Sequence, residues 1–140
     1  MPLELEDAWY AYLKAEAAVD RAVEILHDVN ALWLPWRNRA GNLVYKIAAC
    51  AAAAERTSKA GKDCSNHLAE RERLMKQYHE YMAKASVYDR AQALASRLTW
   101  ETRCVETAAG ARLTQLHWHK YISSYDAKKA LERANKRVKR

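Results

Sequence analysis

A chain of 140 residues is long enough to bury a core of its own without disulfide or metal staples. Half of its residues are apolar and 29% are charged, and the net charge is +7, which excludes a disordered acidic chain and favours anionic partners. Only 3 Gly and 2 Pro leave too few chain breakers for a hairpin-rich or doubly wound sheet. The expected class is therefore all-α: an elongated antiparallel bundle of three to five long helices with coiled-coil-like, alanine-rich packing, in one domain spanning 1–140.

The first segment, 3–34, sets the pattern. Leu5, Ala8, Tyr12, Ala15, Val19, Ala22, Leu26, Val29 and Trp33 recur at alternating three- and four-residue steps, which places them on one stripe of a helix. Large residues and alanines alternate along it, so a neighbouring helix can approach closely along the small side. Pro2 and the acidic residues Glu4, Glu6 and Asp7 suit a helix start. The outer face is acidic, with Glu16, Asp20, Glu24 and Asp28 added to these three against only Lys14 and Arg21.

Pro35 predicts the end of this helix, because proline lacks an N–H and clashes with the preceding turn. Residues 35–42 then read as a connection, with Trp33 and Trp36 as a hydrophobic lid on the bundle end and Asn38 or Asn42 as a cap. An alanine-rich helix follows at 43–57, striped by Leu43, Ile47, Cys50 and Ala54. Antiparallel pairing across that connection would set Trp33 against Val44, Leu26 against Ala51 and Ala22 against Ala54.

The polar stretch 57–66 contains Gly61 and predicts a second connection. The helical region 67–138 comes next, striped by Leu74, Tyr78, Tyr81, Ala85 and Tyr88 with Met75 and Met82 beside them. Its phase slips near Tyr88. A break, kink or turn, falls within 86–99, where Ser86 and Asp89 have the spacing of a capping pair. The pattern resumes with Ala91, Leu94 or Ala95, Leu98, Val105, Ala109, Leu113 and Leu116, and Trp118, Tyr121 and Ile122 extend it.

The basic helix end, 126–140, carries the candidate binding residues. Ala127, Leu131, Ala134 and Val138 form its apolar stripe. Lys128, Lys129, Arg133, Lys136, Arg137, Lys139 and Arg140 lie elsewhere, opposed only by Asp126 and Glu132. Cations at this spacing suit phosphates, giving affinity for DNA or RNA without sequence reading. The acidic first helix is a competing target for the same cations, within the chain or in a second copy.

Chemistry beyond binding finds little support. Gly41, Gly61 and Gly110 are too scattered for a phosphate loop or a nucleophile elbow. A two-metal carboxylate bundle needs two Glu-x-x-His motifs, and only Glu24-Ile25-Leu26-His27 matches. Cys64 and His67 have helical spacing, but Cys50, Cys104, His117 and His119 are too dispersed to complete a zinc site by pattern alone. His117 and His119 point in nearly opposite directions on a helix. Three cysteines without a repeat read as free thiols, with Cys50 shielded and Cys64 reactive.

No catalytic residue, metal ligand or cofactor is assigned. The acidic N-terminus lacks a secretory pattern, and the apolar run 47–54 is far short of a membrane span. The expectation is a non-enzymatic cytoplasmic structural, adaptor or regulatory protein, with no membrane contact. It would act through helix–helix contacts with a protein partner or itself, and bind nucleic acid through its basic end. The alternative is an inhibitor or assembly subunit that binds an acidic protein surface and has no nucleic-acid role. A metal-dependent enzyme is a remote third.

Overall fold

The computed structural model of the chain describes residues 2–119 and 123–140, the side chains of Pro2, Trp118 and His119 excepted. Among the described residues there are three α-helices and no strand: α1 (Pro2–Lys59), α2 (Ser65–His119) and α3 (Ser124–Val138). The protein is all-α. Two compact units divide it, one made of Met1–His27 with Leu94–Arg140, the other of Asp28–Ala93.

The expected connection at 35–42 does not exist, because α1 runs through Pro35 without a break. Proline in a helix interior costs roughly 3 kcal/mol through its missing bond and its clash with the i−4 carbonyl. Two features offset that cost. Pro35 and Ala31 both lie on the solvent side, where water can serve the freed carbonyl. The residues on either side of Pro35 are anchored on α2: Trp33 Nε1 donates to Asp89 at 2.7 Å, the Trp36 ring lies 6.1 Å from Tyr81, and Arg37 reaches Met82 Sδ at 3.5 Å. The pairings of Trp33, Leu26 and Ala22 with Val44, Ala51 and Ala54 fall with the connection, since all six residues belong to one helix.

The chain turns instead at Gly61. Its φ of +72° is the left-handed conformation that ends a helix. The Lys62 N–H donates to Thr57 O and the Gly61 N–H to Ser58 O, both at 3.0 Å, so a closed pair of bonds satisfies the last carbonyls of α1. Asp63 then accepts from both the hydroxyl and the backbone N–H of Ser65, which orders the start of α2.

The Asp28–Ala93 unit is a hairpin of two antiparallel helices. Ala40, Leu43, Ala54, Leu74 and Ala85 are buried between them. Trp33, Trp36, Tyr78, Tyr81 and Tyr88 lie half-buried along the edges of the seam.

The other unit adds a third helix. Ala15, Val19 and Ala22 of α1 and Ala95 and Thr99 of α2 are buried, and the Thr99 hydroxyl donates to Ala95 O at 2.9 Å while lying 3.4 Å from Ala22 O. Further along, Gly110 sits against the Tyr12 ring. The alanines of the first stripe therefore meet the later half of α2 rather than residues 43–57. A cluster of Leu5, Ala8, Leu116 and Ala130 closes this unit, with Trp9, Leu113 and Ala127 packed on it.

No break interrupts 86–99. Ser86 Oγ donates back to Ala83 O at 2.6 Å inside the helix, and Asp89 is held by Trp33, so neither is free to start a new helix. The break comes later, before α3, where Ser123 is the cap and its Oγ accepts from Asp126 N at 3.2 Å. The inward stripe of α2 follows the expected one at Ala95, Ala109, Leu113 and Leu116 and departs from it at Ala91, Leu94, Leu98 and Val105. Gln92, Ala95, Thr99, Thr102 and Glu106 face inward, whereas Leu94 (55% exposed), Leu98 and Val105 (61%) face solvent. Small and hydroxylated residues permit the close approach to α1 that leucines at the same depth would block. The expected extension of the stripe through Trp118, Tyr121 and Ile122 lies outside the described residues and side chains.

Candidate nucleic-acid interface

α3 is amphipathic by sequence, and its small residues decide which side is covered. Ala130 and Ala134 are almost wholly buried, with Ala127 and Leu131 half-buried beside them. Such short side chains let α3 lie close against the cluster around Leu5 and Leu116. Asp126 sits at the positive end of its dipole and Lys136 and Arg137 at the negative end.

This docking sorts the seven candidate cations. Lys128, Lys129, Arg133, Lys136, Lys139 and Arg140 are all exposed. Arg137 is not part of that face. Its guanidinium donates to Asp7 Oδ1 at 2.6 Å and lies 4.1 Å above the centre of the Tyr10 ring. The Asp7 hydrogen bond, reinforced by the charges of Asp7 and Glu6, raises its already high pKa further. On a helix, position 137 lies closer to the buried Ala130 than to the outward cations, and the acidic first turns of α1 are there to receive it. Arg137, expected among the phosphate-binding cations, here pairs with Asp7 and ties α3 to α1. Arg112 forms a similar bond with Glu4 at 3.0 Å.

Of the outward cations, Lys129 is the most engaged. It lies 3.6 Å from Glu132 and 5.7 Å from the Tyr125 ring centre. The others form no ion pair among the described residues. The face thus offers several unpaired charges along one side of a 15-residue helix. It can hold a run of phosphates, and its long aliphatic stems supply no base-reading geometry.

Two features escaped the sequence pattern. Trp36 and its neighbours form a flank of the hairpin rather than a lid. Arg39 lies 4.6 Å and Lys84 4.5 Å from its ring centre, and Lys84 is contributed by the other helix. The local signal was the close grouping of Trp33, Trp36, Arg37 and Arg39, whereas nothing local points to Lys84. The cysteines also differ from expectation, since Cys50 and Cys64 are half-buried alike and Cys104 is the exposed thiol.

Among the described residues, no three His, Cys, Asp or Glu side chains converge in a way that could hold a metal ion, and no helix is long and apolar enough to cross a membrane. No family model, no curated protein and no solved structure matches this chain.

Proposed function

We propose that the protein is a non-enzymatic helical binding protein whose C-terminal helix contacts nucleic-acid backbone without reading sequence. One observation supports this above the others. α3 buries its alanine side, sets Arg137 against Asp7, and leaves Lys128, Lys129, Arg133, Lys136, Lys139 and Arg140 outward with only Glu132 among them and Asp126 at the helix start. Each phosphate neutralised by such a face releases a condensed counterion, and that release drives binding. With about five contacts, log K for duplex should fall against log salt with a slope of roughly −4. Fluorescence anisotropy with two duplexes of unrelated sequence tests this. The expected result is similar affinity for both, and loss of most binding when Lys128, Arg133, Lys136 and Arg140 are changed to Gln. Absence of duplex binding by the wild type at low salt would sink the proposal.

A second reading, an assembly subunit that works through protein contacts, is favoured by a different feature. Leu94, Leu98 and Val105 form an outward apolar row on α2, and Trp100, further round, is 71% exposed. Exposed large apolar side chains aligned on one helix face suit a protein contact. Light scattering after size-exclusion chromatography discriminates the two, because a stable oligomer disrupted by Leu98→Lys would favour the second.

A further inference from the structure

We infer that the Asp28–Ala93 unit carries a separate binding site for single-stranded nucleic acid, formed by Arg39 and Lys84 around Trp36. The site is a product of the hairpin. Trp36 and Arg39 are three residues apart on α1, which puts them on neighbouring ridges. Lys84 comes from α2 and reaches the same ring. Tyr81 lies 6.1 Å from Trp36 with its ring tilted by 36°, and its hydroxyl is bound to Gln77 at 2.9 Å, so the aromatic floor is held in place.

Charge compensation separates this flank from the other side of the same seam. There, Arg37 lies over Trp33 and reaches Met82, while the Trp33 indole N–H donates to Asp89, so that ring is met by one cation and one carboxylate. Arg39 and Lys84 are both exposed and take part in no ion pair among the described residues. Two positive charges share one indole, whose quadrupole attracts each but does not neutralise either. An anion placed between them relieves their repulsion.

The chemistry around that anion selects its carrier. A guanidinium resting on an indole keeps its second planar face open, and a nucleic-acid base can stack on it while Lys84 takes the adjoining phosphate. Alternation of planar rings and phosphates is the repeat of a single strand, and bases locked inside a duplex offer no such face. The outward side of α3 differs in kind, being a row of cations suited to any phosphate backbone. The Trp36 site uses no residue of α3 and stands or falls without it.

The test is anisotropy with fluorescein-labelled oligo(dT) of about ten nucleotides and with a duplex, at low salt. Three proteins are compared: wild type, Arg39→Gln with Lys84→Gln, and an α3 variant with Lys128, Arg133, Lys136 and Arg140 changed to Gln. The hairpin double variant should lose on the order of tenfold in oligo(dT) affinity and keep its duplex affinity, with an unchanged circular dichroism spectrum. The α3 variant should lose most duplex binding and keep the share of oligo(dT) affinity that Arg39 and Lys84 supply. Arg39→Lys with Lys84→Arg, which keeps both charges, should recover part of the loss. Equal oligo(dT) affinity in wild type and the double variant would overturn the inference, as would failure of the wild type to bind oligo(dT). Displacement of oligo(dT) from the α3 variant by polyglutamate of equal charge would also overturn it, in favour of an acidic protein ligand. Loss of duplex binding alone counts against the α3 proposal and leaves this one standing.

Discussion

In the unit made of Met1–His27 and Leu94–Arg140, the seam is filled by small residues: Ala8, Ala15, Ala22, Ala95, Thr99, Ala130 and Ala134 are buried, and Leu5 and Leu116 complete the cluster beneath α3. The Asp28–Ala93 unit, with two helices, buries only Ala40, Leu43, Ala54, Leu74 and Ala85, and its rings lie half-covered at the edges. Two helices alone cover Leu43 and Leu74 but leave the wider indole and phenol rings half-covered. The rings of the hairpin therefore keep one face open, and Arg37, Arg39 and Lys84 cover what the missing third helix would have covered. Enclosure in one unit and cation–π cover in the other are different solutions to the same burial problem. They also leave different surfaces, a cationic helix face and a ring-and-cation flank.

The largest expected effect comes from emptying the enclosed cluster. Leu5→Ala or Leu116→Ala should cost about 2–5 kcal/mol in urea unfolding, whereas Leu43→Ala in the open hairpin should fall near the lower end of that range. A greater loss at Leu43 than at Leu5 would break the comparison. Overpacking is next. Ala134→Leu and Ala85→Leu, at almost fully buried positions, should each cost about 1–3 kcal/mol. Ala51→Leu should stay within about 0.5 kcal/mol, because Ala51 faces solvent.

The glycines sharpen the picture at a smaller scale. Gly61→Ala places a side chain at φ +72° and should destabilise the turn by about 1 kcal/mol. A Cβ at Gly110 would meet the Tyr12 ring at 3.5 Å, an ordinary contact, and at Gly41 it would meet nothing. Both Gly→Ala changes should therefore stabilise by about 0.5–1 kcal/mol through helix propensity. Thermal melts of the three variants check the change of sign.

Smallest is the acid dependence of the hairpin turn. The Ser65 hydroxyl, and after it the Ser65 backbone N–H, hold the Asp63 carboxyl below its ordinary pKa. Its contribution is full above the ordinary carboxylate range and is lost as pH falls through the lowered folded value. Asp63→Ala should remove that part of the acid limb of stability, and an unchanged limb would show that the cap contributes nothing measurable.

Much of this was legible in the chain. The all-α class followed from the scarcity of Gly and Pro, and the stripe from Leu5 to Trp33 does face inward along its whole length. The stripe also continues without a phase error through Trp36, Ala40, Leu43, Ile47, Cys50 and Ala54, none of them exposed. That continuity was the available sign that α1 passes Pro35, and it outweighs the local cost of one proline because every turn of the stripe gains burial. The cationic character of α3 was equally readable. Its division into six outward cations and one clamp was not, since the position of Asp7 beside Arg137 depends on how α3 docks.

The two Ser-x-x-Asp segments show where local information ends. Ser86 to Asp89 and Ser123 to Asp126 have the same capping spacing, and periodicity favoured a break at the first. The residues alone show that both segments are able to cap a helix and that a long apolar stripe requires helical partners. Contacts distant in the chain chose between them. Asp89 accepts from the Trp33 indole across the hairpin and Ser86 bonds back within α2, so the first segment stays helical. Ser123 caps α3 through Asp126 N, and α3 is then held by Ala130 and Ala134 against the Leu5 cluster. A partner 56 residues away in sequence outranks a cap three residues away, because it adds a side-chain hydrogen bond while leaving the backbone bonds of α2 unbroken.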